Sequence, residues 1–133
     1  MGVLRLLFAM FLILHGLGHA IWFMGAWVPV GETRFREPWL FSEGVTIESP
    51  AGKVIGLLAL VTTVGFVAAG WGLLGREDWW RATAIASAVL SLIVVVPWWR
   101  SSPGTTSINA TLADVAILLV ALLPIGQELA EAG

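Results

Sequence analysis

The chain has 133 residues, of which 58% are hydrophobic and 12% are charged, and its net charge is −2. Water-soluble domains carry roughly 25% charged residues, and a soluble domain of this size exposes much of its surface. The composition is therefore typical of a protein whose surface faces lipid. The basic residues are scattered, which argues against nucleic-acid binding. The lack of cysteine excludes disulfides, thiolate nucleophiles, iron–sulfur clusters and cysteine-ligated zinc.

Four apolar stretches approach the length of about 20 residues that a helix needs to cross a bilayer. They are residues 3–27, 54–74, 79–99 and 108–125. No repeated segments alternate with the period of two that a membrane barrel requires, and lipid leaves the helix as the other way to satisfy the backbone. The sequence predicts an all-α integral membrane four-helix bundle. It is a single transmembrane domain over residues 1–133, antiparallel and up-down, with one long extramembrane loop at 28–53.

Turn and capping residues lie at the ends of these spans. Pro50 precedes the second span, and Gly75 follows it as a predicted C-cap. Ser107 or Asn109 is the predicted N-cap of the fourth span. Pro124 is predicted to bend or end that helix.

Tryptophans bracket the third span, where Trp79-Trp80 and Trp98-Trp99 are expected to form aromatic belts at the lipid headgroups. Arg81 lies beside the first pair and is expected to reach the headgroups as well.

The loop at 28–53 carries four glutamates, three basic residues and several large apolar residues, among them Phe35, Trp39 and Phe41. We expect it to fold back as a cap on the bundle mouth or to lie in the membrane interface. The alternative is an ordinary surface loop with one aromatic anchor. The basic residues divide almost evenly between the two sides, so the positive-inside rule is close to a tie. Because the long acidic loop is the easier part to place outside, both termini are predicted to be cytoplasmic.

Three ionisable residues lie at membrane depth, where such residues are costly and point to a function by default. His15 and His19 are four residues apart in the first span and share one helix face. Asp114 lies in the fourth span. Measured from the face that carries the loop, they lie about 18, 12 and 9 Å deep at 1.5 Å per residue.

The other two spans add polar residues at comparable depth: Thr62, Thr63, Ser87 and Ser91. Every helix thus offers a polar group to one layer. The prediction is a ligand-binding pocket centred on His19 and Asp114 that holds a small polar ligand, relays protons or binds a metal. The alternative is a structural hydrogen-bond network, since such groups hold helices together in lipid at under about 1–2 kcal/mol per bond.

Specific chemistries are less favoured. A His-x-x-x-His helix can chelate a metal, but a catalytic zinc site needs a third ligand and usually a general base. Residues 16 and 17 are Gly and Leu, so the metalloprotease glutamate is absent. Asp114 is a weak candidate for the third ligand. Haem or quinone binding is a minor alternative. Either His15 or His19 suits a haem iron, as a single ligand or together with its copy in a dimer. No catalytic residue is assigned, and the pattern favours a non-enzyme.

Several motifs resemble a family of small bacterial four-helix membrane proteins, loosely DoxX-like. They are His15-Gly16-Leu17-Gly18-His19, Val54-Ile55-Gly56-Leu57-Leu58, Gly75-Arg76-x-x-Trp79-Trp80, and Trp99 followed by Gly104 and Asn109. The resemblance implies a bacterial inner-membrane location and a four-helix bundle, and it implies no reaction. DoxX proteins are associated with quinone-linked oxidation and membrane redox complexes. Relatives tend to carry Asp after the third-span tryptophan, where this chain has Arg100-Ser101.

Three functions follow from these features. The first is a small binding or transport-like module with a pocket at His15, His19 and Asp114. The second is a structural or accessory subunit of a larger membrane complex, and the third is a membrane redox enzyme. The expected partners are the lipid bilayer and either a second copy of the chain or a membrane-complex subunit. The two halves share no convincing similarity, which counts modestly against autonomous transport.

Overall fold

A computed structural model describes residues 2–28, 45–99 and 105–131. In these residues the chain is helical, without β-strands, which confirms the all-α prediction. The helices are α1 (Gly2–Trp27), α2 (Pro50–Gly75), α3 (Trp80–Val95), α4 (Thr106–Leu122) and α5 (Pro124–Glu131). The described part thus has five helices where four were predicted. Proline lacks an amide hydrogen and cannot continue a helix, so Pro124 ends the fourth predicted span early and begins α5.

The two N-terminal helices are the long ones. Helices α1 and α2 have 26 residues each, or about 39 Å at 1.5 Å per residue, and both are long and apolar enough to cross a membrane. Helices α3 and α4 are apolar but have 16 and 17 residues. The predicted third span, 79–99, is longer than α3 because residues 96–98 leave the helix in a turn.

Helix α2 begins four residues before the predicted span and ends one residue after it, and its C-cap differs from the predicted one. The helix begins at Pro50, where the Ser49 side chain accepts a hydrogen bond from the amide of Gly52. The predicted C-cap Gly75 is instead the last helical residue. Arg76 holds the left-handed C-cap conformation, with φ at 60°, and the next amide, that of Glu77, donates to Gly72 O at 2.9 Å. This bond satisfies one of the carbonyls in the last turn of the helix.

The N-cap prediction for α4 was wrong. Thr105 occupies that position without a side-chain cap bond. Ser107 lies inside the first turn and donates its hydroxyl to Trp99 O at 3.1 Å. The side-chain amide nitrogen of Asn109, Nδ2, donates to Thr105 Oγ1 at 3.4 Å. Both side chains therefore bond to residues that precede α4, and neither accepts from the helix's own amides.

Arg81 contacts the protein where a headgroup contact was expected. Its Nε and Nη2 both donate to Ala121 O, at 2.9 and 2.7 Å. The last carbonyls of a helix have no partner within it, and α4 ends one residue later, so the guanidinium satisfies one of them.

Consecutive helices pack against each other, most extensively α1 on α2, then α2 on α3 and α3 on α4. Two buried apolar clusters result. The first apolar cluster consists of Ala9, Leu12, Phe66, Ala69, Leu73, Trp80, Ala84, Ala88, Ile117 and Leu129. The second apolar cluster consists of Trp22, Ala26, Ile47, Ile55, Ala59, Val94 and Trp98. Along α1, the two histidines lie between the residues of the first cluster and those of the second.

Most of the predicted cap, residues 29–44, lies outside the described residues. The described end of the loop returns to the bundle, where Ile47 is fully buried in the second apolar cluster. Large apolar side chains are exposed on the described helices, among them Leu7, Val64, Leu112 and Leu119.

Candidate functional site

Four polar side chains from three helices meet inside the bundle. His15 and His19 come from α1, Ser91 from α3 and Asp114 from α4; we call these four residues the polar cluster. His15 Nε2 lies 2.8 Å from Asp114 Oδ1, and His19 Nε2 lies 3.0 Å from Ser91 Oγ. The Ser91 hydroxyl donates to Asp114 Oδ2. The two histidine Nε2 atoms are 3.4 Å apart.

The polar cluster is largely buried. Asp114 and Ser91 are fully buried, His19 is 3% exposed and the His15 side chain is 10% exposed. Among the described residues, the carboxylate of Asp114 bonds to His15 and Ser91, and no lysine or arginine pairs with it. A buried carboxylate needs donors and an opposite charge, so the electrostatic balance of this site depends on His15 or on a bound cation.

With Asp114 ionised, the hydrogen-bond network assigns the protons of the two imidazoles. A serine hydroxyl has one hydrogen, and Ser91 gives it to Asp114. Ser91 Oγ must then accept from His19, which places a proton on His19 Nε2. His15 Nε2 donates to Asp114 Oδ1 in the same way. Both Nε2–H groups therefore have an acceptor, and the two Nε2 atoms lie 3.4 Å apart. His19 Nδ1 is buried without a partner among the described residues.

Helix α2 contributes an aromatic ring to the site. The ring of Phe66 lies 4.9 Å from that of His15, edge-on, and 6.0 Å from that of His19, nearly parallel. Phe11 stacks on His15 from the other direction along α1, at 5.9 Å. Sequence reasoning missed Phe66. The available signal was its spacing, since it follows Thr62 by four residues and therefore shares a helix face with it.

Gly16 permits this close approach of α2. A Cβ atom at residue 16 would lie 2.7 Å from Phe66 Cβ and 3.1 Å from Thr63 O. Only hydrogen fits there, so the residue between the two histidines sets the separation of α1 and α2 at the depth of the site.

The structure places three of the predicted ligand-binding residues outside the polar cluster. The hydroxyls of Thr62 and Thr63 donate to carbonyls one turn back in α2, those of Leu58 and Ala59, at 2.9 and 3.0 Å. Such bonds within a helix are common for threonine. Ser87 packs against Gly65 of α2, one turn of α3 away from Ser91. Of the seven predicted residues, the polar cluster therefore brings together His15, His19, Ser91 and Asp114.

A cavity of about 300 Å³ opens between α1 and the start of α4; we call it the α1–α4 cavity. His15, Gly18, His19 and Trp22 form its α1 wall, and Asn109 belongs to its α4 wall. The two helices make few other contacts, so the imidazole–carboxylate bond is a main link between them. Both imidazoles are thus accessible from a cavity at the edge of the bundle.

The polar cluster supports three kinds of chemistry. A continuous chain of bonds runs from His15 through Asp114 and Ser91 to His19, and such a chain can carry a proton. A ligand in the α1–α4 cavity can bond to either imidazole. One ligand atom each from His15, His19 and Asp114 also lies within 4.8 Å of the others, close enough to share a metal ion.

No protein-family model matches the chain, and neither a curated protein nor a solved structure matches it significantly. The DoxX-like resemblance therefore stays a prediction.

Proposed function

We propose that this chain is a small multi-pass protein of the bacterial inner membrane that binds a small polar ligand or ion at the polar cluster. One observation carries the proposal. Four polar side chains from three helices converge between two apolar clusters, beside a cavity that both imidazoles line. The α1–α4 cavity is the proposed route of entry.

The membrane assignment is supported by length and surface. Helices α1 and α2 pass the length and hydropathy test for a membrane span, and large apolar side chains are exposed around the bundle. Helices α3 and α4 are shorter than a typical span, so we propose that the turn at 96–99 and helix α5 complete the crossing. Four crossings place both termini on one side, which we propose to be the cytoplasm.

The arrangement of protons favours ligand binding over a purely structural network. A structural network is stable when each buried donor has an acceptor. Here both Nε2–H groups have acceptors, but His19 Nδ1 is buried and has no partner among the described residues. The cluster therefore leaves one polar atom for a ligand to complete.

A native mass spectrum of protein purified gently in detergent tests this proposal. The sample must carry no polyhistidine tag, because a tag would bind ions and polar molecules by itself. We expect an added mass on the wild-type chain that is lost in His19→Asn and retained in Ser87→Ala, the matched change one turn from the cluster. A bare chain mass in all three samples would contradict the proposal. A partner subunit in its place would support the accessory-subunit alternative.

Proton relay is the second candidate, favoured by the continuous bond chain from His15 to His19. If the polar cluster relays protons, vesicles that contain the protein will acidify or alkalinise under an imposed membrane potential. Asp114→Asn should abolish this flux, as read by an entrapped pH-sensitive dye. Equal flux in vesicles with and without the protein would eliminate this candidate.

A further inference from the structure

The ligand of the polar cluster has a specific chemistry. We infer that it is a divalent first-row transition-metal ion, such as Zn²⁺, held by His15 Nε2, His19 Nε2 and the carboxylate of Asp114. This inference rests on the proposed function, because it names the ligand class for the same site.

The spacing of the donor atoms suits one ion. Nitrogen ligands lie about 2.0–2.1 Å from zinc, so two of them in a tetrahedral site are about 3.3 Å apart. The two Nε2 atoms are 3.4 Å apart. His15 Nε2 lies 2.8 Å from Asp114 Oδ1, a hydrogen-bond distance, and one ligand atom from each of the three residues falls within a 4.8 Å span. The two imidazoles thus already have the spacing of ligands to one ion, and the Asp114 carboxylate must shift to complete the set. Two ligands come from adjacent turns of α1 and the third from α4, so an ion would join helices that otherwise touch little.

A cation also supplies the positive charge that the fully buried, ionised Asp114 carboxylate needs. To bind an ion through Nε2, each imidazole carries its hydrogen on Nδ1 and presents the Nε2 lone pair. The two Nε2 atoms, 3.4 Å apart and without a hydrogen bond to each other while both carry hydrogen, then share one ion.

The donor set selects the class of metal. Imidazole and carboxylate ligands without sulfur suit zinc, iron, cobalt, nickel or copper in the divalent state. Three protein ligands leave a fourth coordination position, which is typical of sites that exchange or activate a ligand, whereas structural zinc sites are closed by four. Ser91 holds Asp114 Oδ2 and thereby orients the carboxylate, the role that outer partners of metal ligands commonly have.

The experiment uses the full chain in detergent, without a polyhistidine tag, and titrates it with Co²⁺ and then with Zn²⁺ as competitor. His15 and His19 are the only histidines in the chain, and there is no cysteine, so visible bands of nitrogen-bound Co²⁺ report this site alone. We expect one ion per chain. Affinity should fall by more than about 100-fold in His19→Asn and Asp114→Asn, and by about 10-fold in Ser91→Ala. Ser87→Ala should stay within about twofold.

Nitrogen NMR of histidine-labelled wild-type protein gives a second readout that needs no variant to fold. Only two imidazoles contribute signals. Zn²⁺ should shift the Nε2 resonance of both rings, and the proton of each ring should move from Nε2 to Nδ1.

Each outcome has a distinct meaning. Wild-type protein that binds neither Co²⁺ nor Zn²⁺ would overturn the metal inference. If a different bound mass were then lost in His19→Asn, the proposed function would stand; without such a mass, both would fall. Co²⁺ binding that His19→Asn leaves unchanged would also overturn the inference, because the ion would lie elsewhere.

Discussion

Two sets of polar side chains lie at similar depth in the bundle, and only one of them links helices. The threonines of α2 bond to carbonyls one turn back in their own helix. The polar cluster, from α1, α3 and α4, bonds across helices. A short hydroxyl side chain has an acceptor within its own helix, which both threonines use, whereas Ser91 donates instead to the Asp114 carboxylate of α4. An imidazole or a carboxylate in mid-helix must bond to a partner elsewhere. Depth is thus a weaker guide to contact than the partner that a neighbouring helix presents.

The largest loss of stability is expected from removing Asp114, which bonds to side chains of two other helices. Asp114→Ala leaves His15 and Ser91 without their acceptor and opens a hole in a fully buried position. We expect the free energy of unfolding to fall by about 3–5 kcal/mol, as for other broken buried pairs. An SDS titration followed by far-ultraviolet circular dichroism measures it. A loss below about 1 kcal/mol would show that the cluster contributes no more than ordinary hydrogen bonds in membrane helices.

A smaller effect is expected from the glycine that brings α2 against the histidines. Gly16→Ala places a methyl group 2.7 Å from Phe66 Cβ, so α2 must move away, at a cost of about 1–3 kcal/mol. Gly18→Ala is the matched control, because no atom lies within 4 Å of the added carbon. Its higher helix propensity should stabilise the protein by up to about 1 kcal/mol. The same SDS titration compares the two, and equal effects would contradict the packing argument.

The smallest change in stability is expected from the threonines of α2, whose hydroxyls bond within their own helix. Thr62→Val and Thr63→Val each remove a bond within α2 and keep the shape of the side chain. We expect each to change the free energy of unfolding by less than about 0.6 kcal/mol, with Co²⁺ affinity unchanged. A large loss of stability or of metal affinity in either variant would show that the threonines of α2 belong to the site. The difference drawn between them and the polar cluster would then be wrong.

Much of the local structure follows from short-range rules. Runs of apolar residues predict the helices, and the missing amide hydrogen of Pro124 ends α4. The four-residue spacing of His15 and His19 places both on one face of α1. The two incorrect predictions concern the C-cap of α2 and the N-cap of α4, where the residues can adopt several conformations. Arg76 adopts the left-handed conformation although a glycine precedes it, and Ser107 bonds to Trp99 O instead of capping its own helix.

The sequence by itself therefore determined the helices and the presence of a polar layer, because both depend on hydrophobicity and on spacing within one segment. Only the tertiary structure decided which polar residues meet. Ser91 joins the cluster and Ser87, one turn away on the same helix face, does not, since a rise of about 6 Å along α3 separates them. The roles of Phe66 against the imidazoles and of Arg81 at the end of α4 were decided in the same way. Each depends on how two helices pack, and no single segment encodes that.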